Sequence, residues 1–306
     1  MGADSGGAAL KIDGKDIRLN GRFVRIARLD GDKYEFPEDP ETLLSQLRSC
    51  GTRIDLFTFL QRIPENTPKY SYPMEWDNLA VVPISTFDNW WNKQIRSYPR
   101  NRARQAEKKG AVIREVEFND SLLEGICAIY NETPIRQGRR FPHYGMTLER
   151  ARKYASTFPN RSIFLGVFFD GKMIGFAKLV TDQGRTQACL VHILSMVQHK
   201  DKAPTNALIA EAVRSCAKRG ISYLVYENFA YGNKKGDTLS HFKEVNGFQR
   251  MDLPRYYVPL TSLGSLAFKF GLHHRLADHL PESVASALRE FRKNWYSRRF
   301  QAVAEG

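Results

Sequence analysis

The chain has 306 residues, 42% of them hydrophobic, and its 46 lysines and arginines outnumber its 33 acidic residues to give a net charge of +13. This is enough apolar sequence for a sizeable core in one or two domains, and a basic balance favours anionic partners such as nucleic acid, phosphorylated cofactors or a membrane surface. No apolar run reaches membrane-spanning length and the N-terminus lacks the apolar region of a signal peptide, so we expect a cytoplasmic protein, free or peripheral at the inner face of the membrane.

The N-terminal part of the chain is predicted to be a flexible tail followed by a small α/β subdomain. Residues 1–14 are rich in Gly, Ala and Ser, which is typical of a flexible tail. Within residues 15–98, Asn20-Gly21 lies between two strand-like runs and indicates a hairpin. The remaining elements of this subdomain are a helix, two strands and a second helix, at Glu41–Ser49, Ile54–Leu60, Asn78–Ile84 and Ser85–Ile95.

A basic segment follows this subdomain. It runs from Arg96 to Gly110, with Pro99 suited to the first turn of a helix and Gly110 to its end. A solvated helix face and a sequence-independent contact with an RNA backbone both fit this composition. The residues that we single out for an RNA or polyanion contact are Arg100, Arg104, Lys108 and Lys109.

From Ala111 onward, strands and helices alternate in a regular pattern. A strand (Ala111–Glu117) and two helices (Ser121–Tyr130 and Leu148–Ser156) come first, with a polar loop between the helices. Three antiparallel strands follow, and Asp170-Gly171 forms the tight turn between the first two. Their sequences are SIFLGVFF, MIGFAKLV and TQACLVHILSMV.

The next segment is predicted to be a helix, a buried strand and a second, short helix. Apolar residues recur with the helical period over about residues 205–219, and the continuous apolar run Ile221–Tyr226 suits a strand buried on both faces. Asp237 can cap a short helix that Asn246-Gly247 closes. Flanking helices beside a parallel strand leave a polar opening at its C-terminal end, where ligands tend to bind.

This order of elements is similar to that of the GNAT N-acyltransferase superfamily, and flanking motifs resemble its Fem-type branch, the aminoacyl transferases that extend peptidoglycan bridges. The resemblance covers roughly residues 99–259. It implies an α+β fold with a GNAT-like mixed, mostly antiparallel sheet flanked by helices, preceded by a truncated N-terminal GNAT-like half. The motifs that carry it are RNRARQAEKKG, MIGFAKLV, APTNALIAEAVRSCAKRG and TLSHFKEVNGF, the last containing an FK-x-x-x-GF-type pattern.

Residues 260–306 are predicted to be a helical, basic C-terminal extension. An apolar stripe recurs along it at the helical period, between arginines and lysines. Such a stripe suits packing on its own domain, or contact with an anionic membrane surface. The stripe consists of Val284, Leu288, Phe291 and Trp295.

The resemblance implies an N-acyltransferase that moves an acyl or aminoacyl group from a phosphorylated donor to an amine by direct attack. Acyl-CoA-dependent GNAT enzymes usually carry Q/R-x-x-G-x-G/A, where glycine lets the backbone approach the pyrophosphate. The corresponding stretch here, Gln198–Ala207, has no glycine. The co-substrate is therefore aminoacyl-tRNA, as in Fem-type relatives, or acyl-CoA, with no tightly bound cofactor. The acceptor is an amine on a cell-wall precursor, a sugar or a small molecule.

Two other functions remain open. One is an acetyl-CoA-dependent N-acetyltransferase that acts on an amino sugar or a small amine. The other is a non-catalytic module on a GNAT scaffold that binds RNA or the membrane surface. Metal and disulfide chemistry find no support, because the spacing of Cys50, Cys127, Cys189 and Cys216 predicts reduced core thiols and no metal-ligand spacing is found.

Acyl transfer to an amine needs a polarised carbonyl, a stabilised oxyanion and a route for the amine's proton. The resemblance implies a transition-state role for Lys243. Glu227 and His192 are the candidate bases, and water or the substrate can replace either of them. Candidate donor contacts are Lys200, Lys202, Thr205, Asn206 and Phe242. The loop Asn131–Gly145 supplies candidate acceptor contacts, since guanidinium groups suit carboxylate or phosphate: Glu132, Arg136, Arg139, Arg140 and Tyr144.

Overall fold

The computed structural model describes residues 9–136, 138–231 and 238–274, and two sequence predictions lie outside these residues: the Asp237 cap and the apolar stripe from Val284 to Trp295. The strands are β1 (Ala9–Ile12), β2 (Lys15–Asn20), β3 (Ile26–Leu29), β4 (Leu56–Leu60), β5 (Met74–Pro83), β6 (Val112–Val116), β7 (Ile135–Arg136), β8 (Arg139–Arg140), β9 (Ser162–Phe169), β10 (Lys172–Thr181), β11 (Gln187–Ser195), β12 (Tyr223–Asn228) and β13 (Gln249–Pro259). The helices are α1 (Pro40–Ser49), α2 (Phe87–Asn89), α3 (Ser97–Lys108), α4 (Asp120–Tyr130), α5 (Leu148–Ala155), α6 (Pro204–Lys218), α7 (Thr238–Val245) and α8 (Ser262–Lys269).

The chain divides into two compact units, with the division between Leu79 and Ala80 and again between Gln249 and Arg250. The sequence analysis expects boundaries after residues 98 and 259 instead. The second difference has a direct cause: β13 pairs antiparallel with β4, so this late strand belongs with the N-terminal elements. Such a pairing between distant segments has no local sequence signal.

The first unit contains a small sheet with the strand order β1-β2-β3-β4-β13. The predicted hairpin at Asn20-Gly21 is confirmed, because β2 and β3 pair antiparallel across that turn. Leu43, Leu44 and Leu47 of α1 are buried in the core of this unit. Residues 9–12 of the expected flexible tail form β1 against β2, whereas residues 1–8 lie outside the described residues.

The second unit holds the strand order β12-β11-β10-β9-β6, in which β11 and β12 are parallel and the other pairs are antiparallel. Successive strand residues face opposite sides of a sheet. Leu165 accordingly lies in the core that includes α3 and α6, whereas its neighbour Phe164 lies in the core that includes α4 and α5. The predicted mixed, mostly antiparallel sheet flanked by helices is therefore confirmed.

Three smaller sequence predictions concern the helix before α3, the cysteines and membrane-spanning segments. The predicted helix Ser85–Ile95 is a short turn, α2, that continues as a π-helix over Trp90–Gln94. All four cysteines are free, with Cys189 and Cys216 buried. Among the described residues, no helix is long and apolar enough to cross a membrane.

Candidate functional site

Strands β11 and β12 part before either of them ends. Their parallel pairing stops at Cys189 opposite Val225. The register between β10 and β11 shifts between Lys178 and Leu179, which leaves Val191 of β11 as an extra residue. A bulge of this kind bends a strand and increases its twist. Beyond Cys189, the ends of β11 and β12 therefore border an opening in the sheet.

Lys243 of α7 lies at the C-terminal end of β12, and its side chain is fully buried. Its Nζ donates a hydrogen bond to the carbonyl oxygen of Asn228, the last residue of β12. The same nitrogen lies 4.8 Å from the ring centroid of Tyr226 and 5.1 Å from that of Tyr231. Burial, and then the nearby Glu227, raise the pKa of Tyr226 to about 12, so its ring is neutral near pH 7. Lys243 is thus a buried, hydrogen-bonded lysine rather than a solvated surface lysine.

Asn246 and Gly247 anchor the helix that carries Lys243. The buried side-chain amide of Asn246 donates to the Phe242 carbonyl at 2.8 Å, and the backbone carbonyl of Asn246 accepts from the Trp90 indole at 3.1 Å. Gly247 has φ +86°, and a Cβ there would lie 2.9 Å from Trp90 Nε1, so only glycine fits without a shift. The predicted closure of α7 at these two residues is confirmed. The side-chain amide nitrogen of Asn206 lies 3.5 Å from Asn246 Oδ1, and this contact links the start of α6 to the end of α7.

Glu227, a candidate base, precedes the last residue of β12 in a left-handed backbone conformation, with φ +54°. For a residue with a side chain, this conformation costs about 1–2 kcal/mol. Such outliers cluster at functional sites, where the surrounding structure maintains them. The position of Glu227 beside the opening therefore agrees with the predicted role, although nothing in the geometry assigns it a proton.

His192, the other candidate base, lies on β11 and is half-buried. Burial, followed by the charges of Lys178 and His143, lowers its pKa to about 4, against the raising effect of Glu227. Its Nδ1 is buried and has no hydrogen-bond partner among the described residues. A group with this pKa is a weak base near neutral pH. Of the two candidates, Glu227 is the better placed.

The sequence analysis missed Lys178, a second buried lysine. It is 1% exposed and lies opposite His192 in the β10–β11 pair. Its Nζ donates to the Ala155 carbonyl at 2.8 Å and to the Thr157 carbonyl and hydroxyl, both at 2.7 Å. A cation there suits the C-terminal end of α5. A lysine inside the apolar run MIGFAKLV was the signal that could have found it.

Lys178 and His192 line one apolar cavity beneath the sheet. The cavity lies between β10, β11 and the helices α4 and α5, and its volume of ≈ 20 Å³ is enough for a water molecule. Its other walls are made by Ile126, Tyr130, Met146, Ala151, Tyr154, Ala155, Phe164 and Phe176.

Two predicted acceptor contacts, Glu132 and Arg136, have partners in the segment that follows β11. The Glu132 carboxylate accepts the backbone N–H groups of Val197 at 2.7 Å and Gln198 at 2.8 Å. Arg136 pairs with Glu132 at 3.1 Å and donates to the Ser195 carbonyl at 2.7 Å. Both side chains are nearly buried, at 10% and 12% exposed. We therefore assign them a positioning role.

The stretch before α6, predicted to hold the donor's phosphates, has few open N–H groups. Those of Lys200, Lys202 and Ala203 donate to carbonyl oxygens of the same stretch at 3.0–3.2 Å. The Lys202 ammonium lies 4.3 Å from the Phe169 ring centroid and 3.5 Å from Asp201. Lys200 is exposed. These two lysines thus place positive charge in the stretch, but many of its backbone N–H groups already donate to carbonyl oxygens of the same stretch.

The other predicted donor contacts lie where this stretch meets the sheet. Thr205, in the first turn of α6, has its hydroxyl 3.0 Å from that of Ser195, the last residue of β11. Phe242 packs against the second unit's core. The Thr205 contact thus places the start of α6 beside the end of β11, whereas Asn206 contacts Asn246 after α7.

The four basic residues predicted for a polyanion contact, on α3 and directly after it, divide into two groups. Lys109 pairs with Asp201 at 3.0 Å, and Arg100 donates to the Trp91 carbonyl at 3.0 Å, so both have internal partners. Arg104 and Lys108 are exposed, with the Arg104 guanidinium 5.5 Å from the Trp91 ring centroid. A polyanion contact therefore depends mainly on these last two.

The remaining predicted acceptor residues are exposed. Arg139 and Arg140 form β8, which pairs with β7 in a two-residue hairpin, and the Tyr144 side chain is 47% exposed. Nothing in the contacts of these three residues ties them to Lys243 or Glu227. Their predicted role stays a prediction.

Comparisons with known proteins identify the fold. No protein-family model and no curated protein sequence matches this chain. Among solved structures, L-PGS from Bacillus licheniformis matches with a TM-score of 0.57 at 14% identity, covering 84% of this chain and 85% of that one. The C-terminal domain of a putative lysylphosphatidylglycerol synthetase from Agrobacterium fabrum matches with 0.53 at 14% identity, over 86% and 87% of the two chains. FemX matches with 0.53 at 11% identity, over 80% and 86%. The chain thus has the GNAT fold in the Fem-like form that its sequence predicts.

Proposed function

We propose that this chain is an N-acyltransferase that transfers an aminoacyl group from aminoacyl-tRNA to an amine acceptor. The observation that carries the proposal is the buried ammonium of Lys243 at the C-terminal end of β12, beside the opening where β11 and β12 part. A cation held without solvent is already oriented to stabilise negative charge that develops on a carbonyl oxygen. This is the main electrostatic requirement of acyl transfer.

The reaction is a direct displacement. The neutral acceptor amine attacks the ester carbonyl of the donor, and the C–N bond forms as the carbonyl oxygen takes up the negative charge near Lys243. The amine's proton passes to Glu227, directly or through water. The C–O bond to the donor then breaks, and the proton goes to the leaving oxygen, so that an amide and the free hydroxyl of the tRNA result.

The preference for aminoacyl-tRNA over acyl-CoA rests on the stretch between β11 and α6. A pyrophosphate is bound at such a place by unpaired backbone N–H groups. In this chain the carboxylate of Glu132 already accepts two of them, from Val197 and Gln198. Asp201 adds a second negative charge, where the acyl-CoA motif has glycine. The Glu132 carboxylate on these N–H groups, and a side chain where the motif has glycine, disfavour a pyrophosphate.

Two further observations support an aminoacyl donor. The name of lysylphosphatidylglycerol synthetase describes a protein of the same fold that attaches a lysyl group, which is an aminoacyl group. The exposed Arg104 and Lys108 on α3 are suited to neutralise phosphates of an RNA strand. Because aminoacyl-tRNA is a cytoplasmic co-substrate, the proposal places the reaction in the cytoplasm.

A donor assay tests this proposal. The purified protein is incubated with charged tRNA or with a panel of acyl-CoAs, each with a panel of amines, and both ester loss and acceptor mass are followed. We expect loss of the aminoacyl ester, an acceptor mass increased by one aminoacyl group, and abolition of both by RNase. Charge reversal at Arg104 and Lys108 should raise the tRNA concentration needed for half-maximal rate, whereas Lys172→Glu on the exposed β9–β10 turn should not.

Each other outcome has a defined meaning. Turnover of acyl-CoA without turnover of charged tRNA would replace the donor by coenzyme A esters and favour the N-acetyltransferase alternative. If neither donor reacts while RNA binds with a steep salt dependence, the chain is a non-catalytic RNA-binding module and the proposed activity is wrong.

A further inference from the structure

Three metal-ligand side chains converge in the first unit. Glu75 lies on β5, and His273 and His274 lie in the turn a few residues after α8. The Nε2 atoms of both histidines lie 3.0 Å from the same carboxylate oxygen, Oε1 of Glu75. The three ligand atoms all lie within 4.8 Å of one another. This grouping was not predicted, because Glu75 is far from the histidines in sequence.

The local backbone explains why two consecutive histidines point toward one carboxylate. Gly271, two residues after the end of α8, has a left-handed backbone conformation, with φ +68°. The chain then turns tightly, since the Leu272 amide donates to the Ala267 carbonyl at 2.8 Å and the His274 amide to the Gly271 carbonyl at 3.1 Å. The imidazole rings of His273 and His274 consequently lie only 4.0 Å apart, centroid to centroid.

Packing holds the first of these rings in place. The His273 side chain is 1% exposed. Its ring stacks on Phe268 at 5.0 Å and lies 4.6 Å from the ring of Tyr257 on β13. Its Nδ1 is buried without a hydrogen-bond partner among the described residues. The other ring nitrogen, Nε2, is directed at Glu75 and is the one available to a metal ion. A ligand held by its surroundings costs less entropy when a metal binds.

The two separations between Glu75 and the histidines fit a small divalent cation. Bonds of about 2.0–2.1 Å from a tetrahedral zinc ion to nitrogen and oxygen place the ligand atoms about 3.4 Å apart. The observed separations of 3.0 Å between Glu75 Oε1 and each Nε2 need only a small outward shift. The side chains of Glu75 and His274 are 35% and 37% exposed, so water has access to a fourth position.

We infer that Glu75, His273 and His274 form a binding site for a divalent transition metal of the zinc class. Two imidazole nitrogens and one carboxylate oxygen are a recurrent ligand set for such ions, whereas calcium and magnesium prefer oxygen ligands. The ion joins the segment after α8 to β5, and so fixes the end of the described chain onto that strand. This inference is independent of the proposed transferase activity.

Metal titration of the full-length protein tests the inference. The protein is freed of metal with a chelator and titrated with Zn²⁺, and separately with Co²⁺, whose visible absorption reports coordination by nitrogen and oxygen. We expect saturable binding of one ion for each chain, together with a higher unfolding temperature in the presence of Zn²⁺. Glu75→Gln and His274→Ala replace partly exposed side chains, and each should weaken binding at least tenfold.

A control variant and two refuting outcomes complete this test. His241→Ala removes an exposed histidine of α7 and should bind zinc like the wild type. Circular dichroism checks that each variant is folded. An absence of saturable binding would show that the two histidines only donate hydrogen bonds to Glu75. Unchanged binding by folded Glu75→Gln and His274→Ala would place the ion elsewhere. Either result overturns the inference.

Discussion

Replacing Lys243 with methionine separates chemistry from stability. The side chain is fully buried and donates to the Asn228 carbonyl, so methionine keeps most of the volume but removes the charge and leaves that carbonyl without this donor. Losing a hydrogen bond from a charged group costs about 1.5–3 kcal/mol. The two aromatic contacts add to this loss, while removal of a desolvated charge offsets part of it. We therefore expect the free energy of unfolding to fall by roughly 1–3 kcal/mol.

The effect of Lys243→Met on the reaction should be larger. Removing one donor to a developing oxyanion lowers kcat by about 100- to 1,000-fold, equivalent to about 2.7–4 kcal/mol of transition-state stabilisation. The assay is single-turnover loss of the aminoacyl ester at saturating protein, normalised to the folded fraction. Burst measurements at several donor concentrations separate this loss from weaker donor binding.

Lys178→Met is the matched control. Lys178 is also a buried lysine, it has carbonyl partners at the end of α5, and its Nζ lies 5.6 Å from the Phe164 ring centroid. Its loss should lower stability at least as much, because it removes a cation from a helix C-terminus. The rate for each folded molecule should stay within a few-fold of the wild type, in contrast to the loss at an oxyanion donor. If Lys243→Met retains full turnover, or if both variants lose it equally, the oxyanion role of Lys243 is wrong.

Two further predictions concern the candidate bases. Glu227→Gln keeps the shape of the side chain and the left-handed backbone but removes the carboxylate. The reaction rate should therefore fall by about 100-fold or more, while the unfolding temperature stays unchanged. A pH–rate profile of the variant like that of the wild type would show that water or substrate takes the proton. His192 has a folded pKa of about 4, below the ordinary value of 6.5, so its neutral form stabilises the fold fully above pH 6.5 and this contribution is lost as the pH falls toward 4. Urea unfolding of wild type should therefore lose about 3 kcal/mol more across that interval than unfolding of His192→Phe, and equal losses would contradict the burial of a neutral imidazole.

Local periodicity accounts for what the sequence predicted well. The helix expected over about residues 205–219 is α6, Pro204–Lys218, because its apolar face repeats at the helical period against one core. The strand expected at Ile221–Tyr226 is β12, shifted by two residues toward the C-terminus. Both elements are long or strongly apolar, and both pack within one compact unit.

Long-range partners account for what the sequence could not predict. Glu132 was expected to face an acceptor, since nothing near it in sequence shows that Val197 and Gln198 present their N–H groups to it. The pairing of β13 with β4 and the approach of Glu75 to His273 depend in the same way on segments far apart in the chain. Such contacts follow from tertiary packing and leave no periodic signal in the sequence.

The candidate site contains one feature that the sequence predicted and others that depend on the folded structure. The family resemblance pointed to Lys243, but the resemblance alone did not distinguish a surface lysine from the buried cation that the fold provides. The left-handed backbone conformation of Glu227 could not be predicted from the residue pattern, because glutamate rarely adopts it.

The claim that Glu132 fills the place of a donor pyrophosphate is central to this account, and equilibrium binding of coenzyme A tests it most directly. The wild type is compared with Glu132→Ala/Asp201→Gly, which frees the N–H groups of Val197 and Gln198 and removes the second carboxylate. We predict no saturable binding of coenzyme A by the wild type, and measurable binding by the variant at unchanged fold. Saturable binding to the wild type, at micromolar or lower concentration of coenzyme A, would contradict the account and make an acyl-CoA the donor.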